Sequence, residues 1–362
     1  MGFLLFDTHR IMDDGGKVMS KTFVLMTALP PTKGHLSLIK FAAGLDQRTI
    51  VLLNTMPSEP LRYERFFALF DAIKRAGLKN VELRNPHMPL IVDPAAEGFW
   101  EQWDRIMTQH GAEPGDVYVS SEPYGQTLAD RLQGTFIPYD PNRELIYTKA
   151  TDVRQHTLAN FGMMIPEFQE RMRTIVTVFG AESTGKTTIS KEMAYFLPGH
   201  WVFEYARPYL ETVGPEITVT KMENIARGQA AVQRLALTWE DKPFIVQDTD
   251  LYSTIGYWEQ PQWREALGPV PEQLILDAKA LQSDIYIIPR SNIPFEADPL
   301  RYGGDHRESP DDFWIGIAEK YGLKFRVLDK IDANERLQEA MGHARMNARP
   351  RTQMLEYDRG GF

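Results

Sequence analysis

Short apolar runs alternate with longer amphipathic stretches along almost the whole chain. This is the pattern of α/β domains, in which doubly buried parallel strands are joined by helical crossovers. In the first half, Thr22–Leu29 reads as a strand, followed by a proline-rich turn and a helix from about His35. Thr49–Asn54 is the next strand, and Asp116–Ser120 is another, running into polar Ser121-Glu122-Pro123. Leu61–Arg75 and Phe99–Gln109 carry apolar residues at helical spacing, the first ending near Gly77. The pattern restarts at Arg173–Phe179, where the β-branched run TIVTV leads directly to Gly180. Later strands are expected at Phe203, Ile245–Val246, Ile285–Ile288 and Phe325–Leu328, and helices at Met222–Trp239 and Ala333–Arg345.

The break between the halves falls around Pro166–Met172, which predicts one domain over 21–168 and a second over 169–347. Residues 1–20 read as a loosely held extension, with Met19 a candidate natural start, and residues 348–362 as a polar tail. There is no internal repeat and no low-complexity tract. A chain of 362 residues has room for two such domains.

Composition narrows the function. The formal charge of −9 argues against a general nucleic-acid or anionic-membrane binder, while a local cationic pocket still permits small anionic substrates. With no cysteine, disulfides, cysteine–zinc sites and thiol nucleophiles are excluded, and a reducing cytoplasm fits. No apolar run approaches the length of a membrane span, and the first residues lack a secretory signal. The expectation is a cytoplasmic enzyme with neither nucleic acid nor membrane as partner.

The strongest motif is Gly180-Ala-Glu-Ser-Thr-Gly-Lys-Thr187, a G-x-x-x-x-G-K-[ST] loop between a strand and a helix. Gly180 and Gly185 allow the tight turn, and the backbone N–H groups of the loop, including Ser183 and Thr184, face phosphate oxygens. Lys186 is positioned for the β- and γ-phosphates, Thr187 for Mg²⁺, and Thr188 extends the helix start that adds positive dipole. Downstream, Phe244–Asp248 is an apolar strand ending in a carboxylate, followed by Thr249 and Asp250. Either Asp248 or Asp250 suits Mg²⁺ or the acceptor hydroxyl, and either also suits a helix N-cap. Glu204 and Arg207 follow the strand around Phe203, where a carboxylate orients a sugar hydroxyl and an Arg binds phosphate, or the two form a surface ion pair. Arg290, Arg301 and Arg307 lie in or beside the polar stretch Ser291–Pro310, which is suited either to closing over ATP or to remaining a solvated loop.

The first half carries a weaker signal. Thr32-Lys33-Gly34-His35 fits the [HT]-x-G-H signature of nucleotidyl transferases, in which Gly34 admits the triphosphate and His35 hydrogen-bonds the phosphate as charge builds. Trp100 and Trp103 fall on one helical face, suited to stacking on a nicotinamide or other heteroaromatic cation, or to core packing. Thr151 and Arg154 sit at a helix start, with Arg154 a candidate for ATP phosphates or for an ordinary surface site.

Taken together, and in this order, the motifs resemble the bifunctional NadR family over about residues 22–345. The strings are Pro-x-Thr-x-Gly-His at 30–35, Gly-Phe-Trp-Glu-Gln-Trp at 98–103, Ser-Ser-Glu-Pro at 120–123, Asp-Pro-Asn-Arg at 140–143 and Thr-Asp-Val-Arg at 151–154. They continue with the loop at 180–187, Glu-Tyr-Ala-Arg at 204–207, Asp-Thr-Asp at 248–250 and Leu-Arg at 300–301. The resemblance implies a Rossmann-like nucleotidyltransferase domain followed by a P-loop kinase domain, both with mainly parallel sheets. It implies phosphorylation of ribosylnicotinamide to nicotinamide mononucleotide (NMN), then adenylylation of NMN to NAD and pyrophosphate. ATP is the co-substrate of both steps, with Mg²⁺ as cofactor, and a homo-oligomer is left open.

Met26 and Thr27 stand where the family usually has Gly-Lys, and Lys149 where it usually has Ser; Lys33 is a candidate replacement for the missing Lys. These departures keep open a kinase whose first domain binds NMN or NAD silently, and a nucleotide-sensing regulator. A polynucleotide end-processing enzyme is disfavoured by the acidic balance and the lack of a Lys-x-Asp-Gly motif. The stretch before Thr22 is too short for the helix-turn-helix domain of some members, so no DNA regulation is expected.

Overall fold

The computed structural model describes residues 20–45, 48–86, 88, 90–91, 95–295 and 310–349. Most of the expected extension and tail, and the loop residues Arg301 and Arg307, lie outside the described residues. The chain divides into two compact units, Met1–Arg171 and Met172–Phe362.

The first unit is built on strands β1 (Thr22–Met26), β2 (Thr49–Leu53), β3 (Val81–Arg84), β4 (Val117–Ser120) and β5 (Thr135–Pro138). Their order is β3-β2-β1-β4-β5, and every pairing is parallel. Helices α1 (Lys33–Ala43), α2 (Arg62–Arg75), α3 (Phe99–Gln109), α4 (Tyr124–Arg131), α5 (Ala150–Gln155) and α6 (Pro166–Met172) complete the α/β wrap. The order reverses between β1 and β4, and it is outside the carboxyl ends of such strands that an open α/β sheet leaves its crevice.

β1 stops at Met26 rather than continuing to Leu29. Ala28 takes a φ of +44°, off the extended path, and Pro30 and Pro31 have no N–H to offer a ladder. The expected helix at His35 begins two residues earlier, because Thr32 is its N-cap. β3 and β5 escaped the pattern reading. They are four-residue edge strands with no fully buried position, so they show neither an apolar run nor a clean alternation.

The second unit contains β6 (Thr174–Val178), β7 (Gly199–Val202), β8 (Phe244–Asp248), β9 (Ile285–Pro289) and β10 (Phe325–Leu328). They form a parallel sheet in the order β10-β9-β6-β8-β7. Its helices are α7 (Lys186–Phe196), α8 (Ala206–Val213), α9 (Val219–Leu237), α10 (Leu251–Glu259), α11 (Pro261–Leu267), α12 (Glu272–Ala280), α13 (Asp311–Lys320) and α14 (Ala333–Met346). The strand expected to run through Phe203, Glu204 and Tyr205 ends at Val202. The Tyr205 N–H donates to Gln229 Oε1 at 2.9 Å instead of to a strand, and Ala206 opens α8.

β8 and β9 are buried at all five positions each, as strands covered on both faces must be. Burying each Val or Ile there contributes about 1.5–3 kcal/mol relative to exposure. The core beside them is aromatic: Phe179 meets Trp314 edge-on at 5.3 Å and Tyr286 at 5.9 Å. Both sheets are therefore mainly parallel, as the alternating pattern predicted.

Trp314 lies so close over α10 that a Cβ on Gly256 would fall 2.4 Å from its ring. Gly256→Ala improves helix propensity by up to about 1 kcal/mol, but overpacking costs about 1–3 kcal/mol. We expect a net loss of stability, read as an earlier urea midpoint for the second unit; a later midpoint would mean that Trp314 yields freely.

Candidate functional site

β6 delivers the chain to a loop that only particular backbones can follow. Gly180 (φ +138°), Ser183 (φ +55°) and Gly185 (φ +82°) take positive φ, a conformation that side chains rarely adopt. The loop closes on itself through Ala181. Its carbonyl accepts from Thr184 Oγ1 at 2.9 Å and from Lys186 Nζ at 2.7 Å. Lys186 thus begins α7 with its ammonium folded over the loop. Arg336 of α14 braces the outside, donating to the carbonyls of Thr184 at 3.2 Å and Arg290 at 3.1 Å.

A cavity of about 510 Å³ opens over this loop. Of the expected residues, Ser183, Thr184, Gly185, Lys186, Thr187 and Thr188 line it, as do Glu204 and Arg207. Gly180 is not among the lining residues. The cavity extends away from the loop between α8, α9 and α10, where Leu210, Ile225, Tyr257 and Trp263 form an apolar and aromatic wall.

The structure separates the two aspartates. Asp248, at the carboxyl end of β8, hydrogen-bonds Thr187 and lies near Lys186, Arg207 and Lys191. It is 2% exposed, and its Oδ1 has no hydrogen-bond partner. Burial pushes its pKa up against the pull of the Thr187 hydroxyl and these cations. A buried carboxylate oxygen without a partner, next to a threonine hydroxyl at a phosphate-binding loop, is the donor set that suits Mg²⁺. Thr187 and Asp248 therefore fit the expected metal.

Asp250 has a different job. It caps α10: its Oδ1 accepts the N–H groups of Tyr252 and Ser253 at 3.0 and 3.2 Å, and its Oδ2 the hydroxyl of Tyr286 at 2.8 Å. Burial raises its pKa to about 6 against these bonds. Neither Asp248 nor Asp250 is among the residues that line the cavity; both oxygens of Asp250 are taken up by Tyr286 and by the N-cap that its sequence position equally allowed.

The first unit has its own cavity, of about 600 Å³, at the carboxyl ends of β1, β2 and β4. Thr32, Gly34, His35, Thr151 and Arg154 all line it. Thr32 and His35 form a reciprocal capping box: the His35 N–H donates to Thr32 Oγ1, and the Thr32 N–H donates to His35 Nδ1 at 3.0 Å. Because Nδ1 accepts a backbone N–H, the neutral ring carries its proton on Nε2. Burial and then the Arg143 guanidinium lower its pKa to about 4. His35 is thus a neutral Nε2–H donor at pH 7, able to meet a phosphate oxygen without first gaining a proton.

Arg154 donates to the Leu29 carbonyl at 2.5 Å, tying α5 to the turn after β1. Trp103 packs into the core with Phe23, Ile50 and Tyr118, while Trp100 is half-buried; both reach the cavity wall. Lys33, the candidate replacement for the absent lysine, is not among the cavity-lining residues. Arg143, Lys149 and Arg154 are the cations that line it.

Pattern reading did not single out Arg143, Arg336, Gln229, Tyr257 or Trp263 as site residues. Arg336 and Gln229 lie inside amphipathic helices and read as ordinary polar positions. The available signals were a glycine, Gly228, in the interior of α9, and the Asp-Pro-Asn-Arg turn that carries Arg143.

Fold and sites together define a nucleotide-binding α/β protein with a P-loop in its second unit. Residues 175–336 match the family model described as an AAA domain. The "Trifunctional NAD biosynthesis/regulator protein NadR" of Escherichia coli K12 is 24% identical over 255 residues, 68% of this chain and 60% of that protein. The protein of the same description from Salmonella typhimurium LT2 is 24% identical over 357 residues, covering 92% and 83%. A NadR protein solved in complex with NR matches with a TM-score of 0.59 at 18% identity, over 91% of this chain and 96% of that one. A NadR protein with NAD and AMP-PNP matches at 0.57 and 19%, with the same coverage. The chain is NadR-like in sequence and in fold.

Two outcomes follow from the site electrostatics. In an NMR titration the His35 ring should titrate near pH 4, well below its ordinary 6.5. Since folding favours the neutral ring, its contribution to stability is intact above pH 6.5 and is lost as pH falls toward 4. Asp250→Ala should lower stability by about 0.5–2 kcal/mol, as loss of an N-cap does, in a urea melt at neutral pH.

Proposed function

We propose that the chain is a bifunctional NAD-salvage enzyme. The second unit would phosphorylate the 5′-hydroxyl of ribosylnicotinamide with ATP, and the first would join NMN to a second ATP to form NAD. The observation that carries this reading is that each unit contains a cavity of nucleotide size whose wall includes its own phosphate-binding turn. Similarity to NadR proteins, some solved with NR or with NAD and AMP-PNP, supports the choice of ligands.

In the kinase reaction the P-loop N–H groups and Lys186 hold the β- and γ-phosphates. Thr187 and Asp248 would hold Mg²⁺, which would supply charge neutralisation on the transferring group. Of the carboxylates singled out in the sequence, Glu204 is the one that lines the cavity, and we assign it to the acceptor. The 5′-oxygen gives its proton to Glu204 and bonds to the γ-phosphorus; the bond from that phosphorus to the bridging oxygen breaks, and ADP leaves. Arg207 balances charge on the phosphoryl oxygens. The aromatic wall formed by Tyr257 and Trp263 suits a cationic pyridinium ring.

In the adenylyl transfer an NMN phosphate oxygen attacks the α-phosphorus of ATP and pyrophosphate departs. No protein nucleophile is required, so the residues act by alignment and charge. His35 donates Nε2–H to the phosphate. Arg143, Arg154 and Lys149 supply positive charge, and Trp100 offers a face for the nicotinamide ring. A second reading, a kinase with a silent first unit, is favoured by Met26 and Thr27, which bring no charge to the cavity wall where the family usually has a lysine.

Purified protein with ribosylnicotinamide, ATP and Mg²⁺ tests both halves by chromatography. NMN followed by NAD supports the bifunctional enzyme; NMN that accumulates without NAD supports the second reading; neither product removes both. Lys186→Ala should lower kinase turnover by at least about 10²-fold with adenylyl transfer retained, and His35→Ala should do the reverse. Equal damage to both activities by both variants would rule out independent sites.

A further inference from the structure

Gln229 lies in the interior of α9 and lines the P-loop cavity, yet the residue is 2% exposed. Its Oε1 accepts the Tyr205 N–H at 2.9 Å, and this bond fixes which way the amide faces. The other end, Nε2, is buried and has no hydrogen-bond partner. A buried donor of this kind is expensive to leave unmet, and a cavity built around one favours ligands that bring an acceptor to it.

The helix is held close to the same turn by an unusual contact. A Cβ on Gly228 would fall 1.9 Å from Cε1 of the Tyr205 ring, so only glycine lets α9 approach so closely. The segment held in this way carries Glu204 on one side of Tyr205 and Arg207 shortly after it, and both line the cavity with Gln229. The two ends of one side chain thus have separate duties. Oε1 holds the turn, and Nε2 remains for the ligand.

We propose that Gln229 is a specificity-determining residue of the acceptor subsite, donating Nε2–H to a neutral acceptor oxygen of the nucleoside being phosphorylated. Hydroxyl, ether and carboxamide oxygens satisfy it; a group that offers only donors is rejected. This inference rests on the kinase reading of the same cavity.

Gln229→Glu separates the two duties, because a carboxylate still accepts from Tyr205 but has no N–H to give. It also adds negative charge to a cavity that contains Glu204, so uncharged Gln229→Met is assayed alongside it. Steady-state kinetics follow ADP formation in the full chain, with ribosylnicotinamide and a panel of other nucleosides as acceptors. The constants are compared for whichever nucleoside the wild type phosphorylates.

The acceptor KM should rise by about ten- to a hundredfold in both variants, while the KM for ATP stays within about twofold. The Tm of Gln229→Glu should stay near that of the wild type, because the Tyr205 bond is kept. An unchanged acceptor KM in both variants overturns the proposal. So does a parallel loss in kcat and in both KM values, which is what a purely structural role produces. If the wild type acts on a nucleoside other than ribosylnicotinamide, the substrate assignment fails while the test of Gln229 still stands. A wild type that phosphorylates no nucleoside overturns both.

Discussion

A polyphosphate can be held out of bulk water only where unpaired N–H groups and cations already converge. A buried parallel strand that turns straight into a helix provides this convergence, since the first N–H groups of the helix have no partners within it. Most of the site architecture follows from that requirement. In the second unit β6 is buried, the loop after it curls through three positive-φ residues, and α7 starts at Lys186. In the first unit β1 ends early, two prolines intervene, and α1 starts at Lys33 under a Thr32 cap. The P-loop turn is the tighter of these solutions and closes on a single carbonyl. The other is more open and relies on side chains that arrive from distant parts of the chain, Arg143 and Arg154 among them.

Burial then sorts the ionisable groups into roles. The chain is acidic, but its charges are not spread evenly. Lys186, Lys191 and Arg207 gather about Asp248, and Arg143, Lys149 and Arg154 line the first cavity. Asp248 and Asp250 are two residues apart and both buried, yet their surroundings divide them. One keeps an unpartnered oxygen beside Thr187, and the other has both oxygens engaged by α10 and Tyr286. His35 illustrates the same rule with the opposite sign: desolvation holds it neutral, and the Thr32 N–H decides which nitrogen carries the proton.

Much of this was legible in the chain, and the misses have physical causes. Strands buried on both faces, such as β2, β6, β8 and β9, leave apolar runs that stand out against any surroundings. Edge strands β3 and β5 do not, since half-buried residues obey no simple alternation. Lys33 sits in the turn where it could replace the family lysine, and the residues at the cavity wall do not include it. Glu204 was placed at the end of a strand; it lies instead in a turn created by a side-chain acceptor, Gln229, from a helix two elements later.

The amino-acid sequence by itself determined the α/β class, the P-loop and the helix-start signature after β1. All three depend on local spacing, in which neighbours along the chain are also neighbours in space. It also determined that no metal could be held by a thiolate, since there is no cysteine. Tertiary structure alone decided which aspartate faces the phosphate loop, which tautomer His35 adopts, and which residues from α9, α10, α11 and α14 complete the P-loop cavity. Those outcomes depend on contacts between residues far apart in the chain. Arg336 and Thr184, separated by 152 positions, meet at 3.2 Å only because the parallel crossovers bring α14 back to the loop.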